Sequence, residues 1–216
     1  MLEALPNIIT TLLAGAVTAA QVAFGAALIA FSLGLLLALA TVFTTWSAVR
    51  VAIGAYIEWM RNVPALAHLF LLYFGLASVG LRFSPKAAAI VGLGLVGAAV
   101  LCDVFAAGIR ALHVGQREAG LAVGLTPFQT LRCIVLPQMF RLTLPSIGNY
   151  MTQLIKDTSI ASAIAAPEIM FHARNLVTST FQTPLIYASA IVLYASIVFP
   201  VAWMFARMER RLGVGR

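Results

Sequence analysis

Charge is scarce in this chain. Only 10% of its 216 residues are Asp, Glu, Lys or Arg, against about 25% in an ordinary soluble domain. With 62% hydrophobic residues and a mean hydropathy of +0.98, the composition is that of an integral membrane protein. Cysteine is nearly missing: Cys102 and Cys133 stand 31 positions apart, giving neither a CxxC pair nor a disulfide framework. The only lysines are Lys86 and Lys156, and neither follows the glycines of a G-x-x-x-x-G-K-[ST] phosphate loop. Also lacking is the ten-residue apolar/polar alternation of barrel strands. These absences set aside a soluble enzyme, a nucleic-acid binder, a secreted scaffold and a disordered tail. They also give no sign of a phosphate-loop nucleotide site.

What is present is a series of apolar runs. Five are long enough to cross about 30 Å of hydrocarbon as helices: 11–43, 51–81 with a break at Pro64, 87–109, 144–166 and 184–206. The predicted fold is all-α, a single polytopic transmembrane domain over 1–216. Placing the N-terminus outside puts Arg50, Arg61, Arg110, Arg117, Arg132, Arg141, Arg207, Arg210, Arg211 and Arg216 inside. Only Arg82, Lys86 and Arg174 fall outside. That bias predicts a cytoplasmic C-terminus. No basic residue precedes Arg50, so the charged start of a cleavable signal peptide is missing and the first helix is expected to be retained.

The longest predicted connection, 110–143, is cytoplasmic in this topology. Val114–Val123 is compatible with a helix that stops at Gly124, where a left-handed conformation is easily reached. Thr126-Pro127-Phe128-Gln129 then has the form of a capping box with proline at the first helical position. A second short helix is expected to run to Val135 and to stop at Pro137.

Glu118-Ala119-Gly120, Gly124 and Ile134-Val135-Leu136-Pro137 resemble the EAA signature of ABC importer permeases at every spacing, with Gly120 replacing the usual alanine. Arg61-Asn62-Val63-Pro64 before Leu69-Phe70-Leu71-Leu72-Tyr73-Phe74-Gly75, together with Gly115-Gln116-Arg117-Glu118, Leu136-Pro137-Gln138 and Lys156-Asp157-Thr158-Ser159, is similar to the histidine, glutamine, glutamate, arginine and opine group. The resemblance implies a permease subunit of the bacterial cytoplasmic (inner) membrane that imports a polar amino acid by alternating access. It implies separate ATPase subunits that use ATP and Mg, a second permease as homo- or heterodimer partner, and an extracytoplasmic solute-binding protein. Glu118, Ala119, Gly120, Gly124, Leu125, Ile134, Leu136 and Pro137 would couple to the ATPase. No cofactor or metal is expected on this chain. Ala106, Val100, His113, Asn62 and His68 depart from the usual Arg, Tyr, Pro, Gly and Gln, and these changes keep an ectoine-like compatible solute or an opine in contention.

Arg61, Asn62, Pro64, Asp103, Lys156, Asp157 and Thr158 are candidates for the gate or translocation path. A charge at the bilayer centre costs about 2.5–3.5 kcal/mol on insertion scales, so such residues normally face protein or water. Lys156 and Asp157 point about 100° apart on a helix, so one of them is expected to reach Asp103, Glu168 or the partner subunit. The alternative is that Lys156 snorkels and Asp157 caps a helix break. Gly92-Leu93-Gly94-Leu95-Val96-Gly97 fits the dinucleotide pattern G-x-G-x-x-G. It sits in an apolar helical run with no strand before it, where small residues serve helix packing. His68 and His113 have no metal-binding spacing; His68 reads as a helix-interface residue. The C-terminal Met208-Glu209-Arg210-Arg211 reads as an anchor beside anionic membrane lipid. No converging nucleophile–base or metal cluster supports an intramembrane enzyme. A stand-alone channel or ion-coupled carrier fits poorly without internal repeats.

Overall fold

The first apolar run forms one uninterrupted helix, α1 (Leu5–Phe43), in the computed structural model, which describes residues 5–213. Arg216, counted above among the inside charges, lies outside the described residues. α1 starts earlier than the expected 11 and, at 1.5 Å per residue, is about 58 Å long. Next come α2 (Ser47–Asn62) and α3 (Ala65–Ser78), which meet at 103°. Val63 is extended (φ −94°, ψ 134°), as a residue before proline prefers, and Pro64 has no N–H to continue a helix. The expected break is therefore present.

α4 (Pro85–Arg110) opens on Ser84, whose hydroxyl accepts from the Ala87 amide, with Pro85 in the first turn. α5 (Val114–Ala122) is short. α6 (127–157) passes through a π-turn at Leu131–Val135 and gives way to a 3-10 turn at Thr158–Ile164. α7 (Ile169–Thr180) and α8 (Thr183–Leu212) complete the chain. Every regular element among the described residues is helical. α1, α4 and α8 are each long and apolar enough to cross a membrane, whereas α2 and α3 are so only as a bent pair.

Two expectations need correction. Pro137 does not end the second loop helix. The π-turn, closed by a hydrogen bond from the Leu136 amide to the Leu131 carbonyl, widens the preceding turn, so the proline ring avoids the carbonyl it would otherwise meet. α6 therefore runs on through Pro137 and Pro145, and the 110–143 connection is shorter than expected. The run 144–166 is not one apolar helix either. It is the second half of an amphipathic helix followed by the 3-10 turn. α7 is a further helix, lying between the fourth and fifth apolar runs.

α4 is the centre of the bundle, with Ala88, Ala89, Ala98, Ala99, Leu101, Cys102 and Phe105 fully buried. Its three glycines of the G-x-G-x-x-G pattern are close-approach sites. A Cβ at Gly92 would lie 2.5 Å from Leu69, at Gly94 2.7 Å from Ile29, and at Gly97 1.8 Å from the Tyr150 hydroxyl. Each holds a different neighbour against α4, the use of small residues that membrane helix packing favours. At the opposite end from α5, Gly15 of α1 packs on the backbone of Glu168 and Ile169.

Candidate functional site: a capped hairpin and a polar cleft

α5 ends as its sequence suggests. The Leu125 amide bonds the Gly120 carbonyl (3.1 Å), the Gly124 amide bonds the Leu121 carbonyl (3.0 Å), and Gly124 has φ +86°. This is a Schellman stop with glycine in its left-handed position. α6 begins on the expected capping box: the Thr126 hydroxyl accepts from the Gln129 amide (3.2 Å) and the Gln129 side chain from the Thr126 amide (2.8 Å). His113 caps the start of α5 through Nδ1, which accepts from the Gly115 amide.

Gly120 is buried where α5 crosses α6. A Cβ there would lie 2.8 Å from Ile134 Cδ1 and 2.9 Å from Thr130 Cγ2. Gly120, which stands where the signature usually has alanine, thus meets the isoleucine of the signature in space, fourteen positions away in sequence. Glu118, Ala119, Gly124 and Pro137 are exposed, while Leu125, Ile134 and Leu136 are half-buried. Beside them Val123 (77% exposed) and Phe128 (69%) face outward. A groove of about 500 Å³ runs between the end of α1 and the hairpin, lined by Leu39, Phe43, Leu121 and Phe128 among others. The hairpin therefore presents an acidic residue and an apolar rim on a backbone pinned by its own caps.

The second feature is a cleft of about 510 Å³ between α4 and α6. One wall is apolar, from Leu93, Val96 and Val100 of α4. The other carries Ser146, Asn149, Gln153 and Asp157 of α6, spaced three or four apart and hence on one helix face. Gln153 donates to the Asp157 carboxylate at 2.7 Å. Tyr150 lines the same cleft, its hydroxyl buried against Gly97.

Of the path candidates, Arg61 and Asp103 form an ion pair, each side chain about half exposed (51% and 45%). Asn62 turns back to Glu58, donating to its carbonyl and its carboxylate at 2.8 Å. Pro64 sits at the break. Asp157 lies on the cleft wall, and Thr158 is buried with its hydroxyl on the Ile155 carbonyl. Lys156 is exposed and forms no ion pair among the described residues, and Asp103 pairs instead with Arg61. Glu168 is fully buried, caps α7 by accepting from the Phe171 amide (2.7 Å), and accepts from the Tyr194 hydroxyl. Burial pushes its carboxyl above the ordinary carboxylate range, while Tyr194 and the amides of Met170 and Phe171 hold it down. Ser146, Asn149 and Gln153 were missed because the run around them reads as apolar; their period of three to four was the available signal.

The family model described as "Binding-protein-dependent transport system inner membrane component" matches residues 30–214, which contain both the hairpin and the cleft. The chain belongs to this family. The permease is thus an inner membrane component of a transport system. It is 32% identical over 184 residues to the glutamine transport system permease protein GlnP of Escherichia coli K12, covering 84% of each chain. It is 38% identical over 142 residues to the probable amino-acid ABC transporter permease protein YckA of Bacillus subtilis 168; that match covers 66% of the permease and 63%, less than two thirds, of YckA. A crystal structure of an amino acid ABC transporter with histidines superposes with a TM-score of 0.87, covering 97% of each chain at 24% identity. This last likeness is one of fold.

Proposed function

We propose that the permease forms the path for a polar amino acid in an ATP-binding-cassette importer, with the hairpin 113–137 docking a separate ATPase that uses ATP and Mg. The observation that carries the reading is the hairpin. Its backbone is fixed by a Schellman stop and a capping box, yet its apolar rim and Glu118 are exposed. Such a rigid handle at the base of α4 and α6 suits the transmission of a partner's closure into helix tilting. The polar stripe on α6 suits a solute with an ammonium and a carboxylate, because a water-lined cleft is where polar side chains are tolerated at membrane depth.

In this reading five spans cross the inner membrane: α1, the bent α2–α3 pair, α4, α6 with its 3-10 turn, and α8. The N-terminus is outside, and the C-terminus and hairpin are cytoplasmic. A second permease copy or paralogue covers the half-exposed Arg61–Asp103 pair, which lipid would penalise, and an extracytoplasmic binding protein delivers the solute. Glu118, Ala119, Gly124 and Leu125 would contact the ATPase, and Gly120, Ile134, Leu136 and Pro137 would brace the hairpin against α6. The path would run from Asp157 past Asn149 towards Arg61 and Asp103.

An ectoine-like solute or an opine is the second reading, and Val100 favours it. That departure lies on the cleft wall, whereas Ala106 and His68 are buried in the bundle. Proteoliposomes holding the permease, its ATPase and its binding protein decide between the readings. ATP-dependent accumulation of labelled L-glutamine, L-arginine or L-histidine supports the first, and accumulation of ectoine or octopine alone supports the second. Uptake that persists without ATP hydrolysis would contradict both and indicate an ion-coupled carrier.

A further inference from the structure

The docking role accounts for the rim of the hairpin but leaves Arg117 without a task. Its guanidinium lies over the Phe43 ring, 5.7 Å from the centroid, within the range of a cation–π contact. Phe43 is the last residue of α1, and the last turn of α1 contains no basic residue of its own. Arg117 thus also brings positive charge to the end of a helix whose terminal carbonyls carry negative partial charge. α5 and α1 are separated by cavities of about 500 and 340 Å³, and Arg117 and Phe43 line both. The contact is therefore a long side chain reaching across a gap.

On its other flank α5 is held differently. Gly120 seats against Thr130 and Ile134, and Gln138 of α6 donates to Gln116 at 3.2 Å. The short helix thus has a close-packed grip on α6 and a separate, extended grip on α1. α1 in turn packs along α4 and reaches Gly15, which abuts the Glu168–Ile169 backbone about 42 Å from Phe43 along the helix axis. A force applied at Phe43 has a continuous helix to act on.

We propose that Arg117 is a positioning residue that ties α5 to α1 through Phe43, so that movement of the hairpin shifts α1 as well as α6. The inference rests on the hairpin being the ATPase-docking element. A contiguous route is not in itself proof of coupling, so the test reads displacement directly.

The complete complex in nanodiscs, carrying Cys102→Ala and Cys133→Ser, is spin-labelled in two pairings, Leu36→Cys on α1 or Leu142→Cys on α6, each against Val192→Cys on α8, an exposed position. Distances are compared without nucleotide and after trapping with ATP and vanadate. The parent shows a nucleotide-dependent shift of both α1 and α6. Arg117→Gln and Phe43→Leu each reduce the α1 shift to about half or less while the α6 shift is kept, Arg117→Lys keeps most of the α1 shift, and the double variant is no worse than either single one. Phe43 lies outside the hairpin, so its variant separates the clasp from docking. A full-sized α1 shift in Phe43→Leu, or additive losses in the double variant, overturns the clasp while leaving the docking element standing. A parent complex that binds its ATPase but shows no shift also overturns the clasp. A parent that fails to bind an ATPase overturns the docking reading itself.

Discussion

Arg61, in the last turn of α2, is ion-paired with Asp103 of α4, tying the helix before the Pro64 break to the central helix of the bundle. The partners lie 42 positions apart, so the pair exists only in the folded bundle. A gate that opens by moving α2 against α4 must break or carry this contact. Arg61→Met and Asp103→Asn are each expected to lower uptake about tenfold, equivalent to about 1.4 kcal/mol in a barrier. The exchange Arg61→Asp with Asp103→Arg should recover part of the loss. Initial uptake rates at matched membrane expression check this, and an exchange no better than the single variants argues against pairing.

Asp157 and Lys156 are neighbours with different surroundings. Asp157 shares the cleft with Gln153, whereas Lys156 is exposed and pairs with neither Asp103 nor Glu168. Asp157→Asn is therefore expected to change the apparent affinity or rate of uptake, and Lys156→Met to change neither by more than about twofold. Unchanged uptake by Asp157→Asn over a range of solute concentrations, at normal expression, would remove Asp157 from the path.

The hairpin makes opposite demands on its two glycines. Gly124 needs φ +86°, so Gly124→Ala should cost about 1–2 kcal/mol locally and weaken ATPase binding. Gly120 needs only space, and its nearest obstacle is the flexible end of Ile134. Gly120→Ala should keep ATPase binding within about threefold, and Gly120→Leu should abolish it. Titration of the ATPase onto permease in detergent measures all three.

Glu168 caps α7 and receives the Tyr194 hydroxyl while fully buried. Removing its carboxyl in Glu168→Ala takes away a cap worth about 1 kcal/mol and costs the half-buried Tyr194 hydroxyl its carboxylate acceptor, about 1 kcal/mol more. Burial already favours the neutral acid, so Glu168→Gln should be mild. Thermal unfolding in detergent is expected to show a large drop for alanine and a small one for glutamine. Equal drops would mean that the charge itself is required.

How far the fold can be read from the sequence depends on how local its causes are. The stop at Gly124 and the start at Thr126–Gln129 are decided within a few residues, so the hairpin is legible down to its hydrogen bonds. Val63–Pro64 is legible for the same reason. Pro137 misled because its usual effect was relieved by a π-turn that no residue announces. The fourth run misled because averaging hid Ser146, Asn149, Gln153 and Asp157, whose spacing places one polar face along a cleft. The Arg61–Asp103 pair was present only as two separate candidates, since nothing short of the tertiary fold joins them. α7 escaped notice because its cap is a glutamate, outside the usual Ser, Thr, Asp and Asn set, and its twelve residues are too short to span a membrane.

The hairpin assignment is tested most directly by photo-crosslinking with the permease and its ATPase co-expressed. A photoreactive residue at Val123, on the exposed rim, should form a covalent adduct with the ATPase, and one at Phe181, 87% exposed between α7 and α8, should not. An adduct from Phe181, or none from Val123 in a complex that hydrolyses ATP, would contradict the assignment.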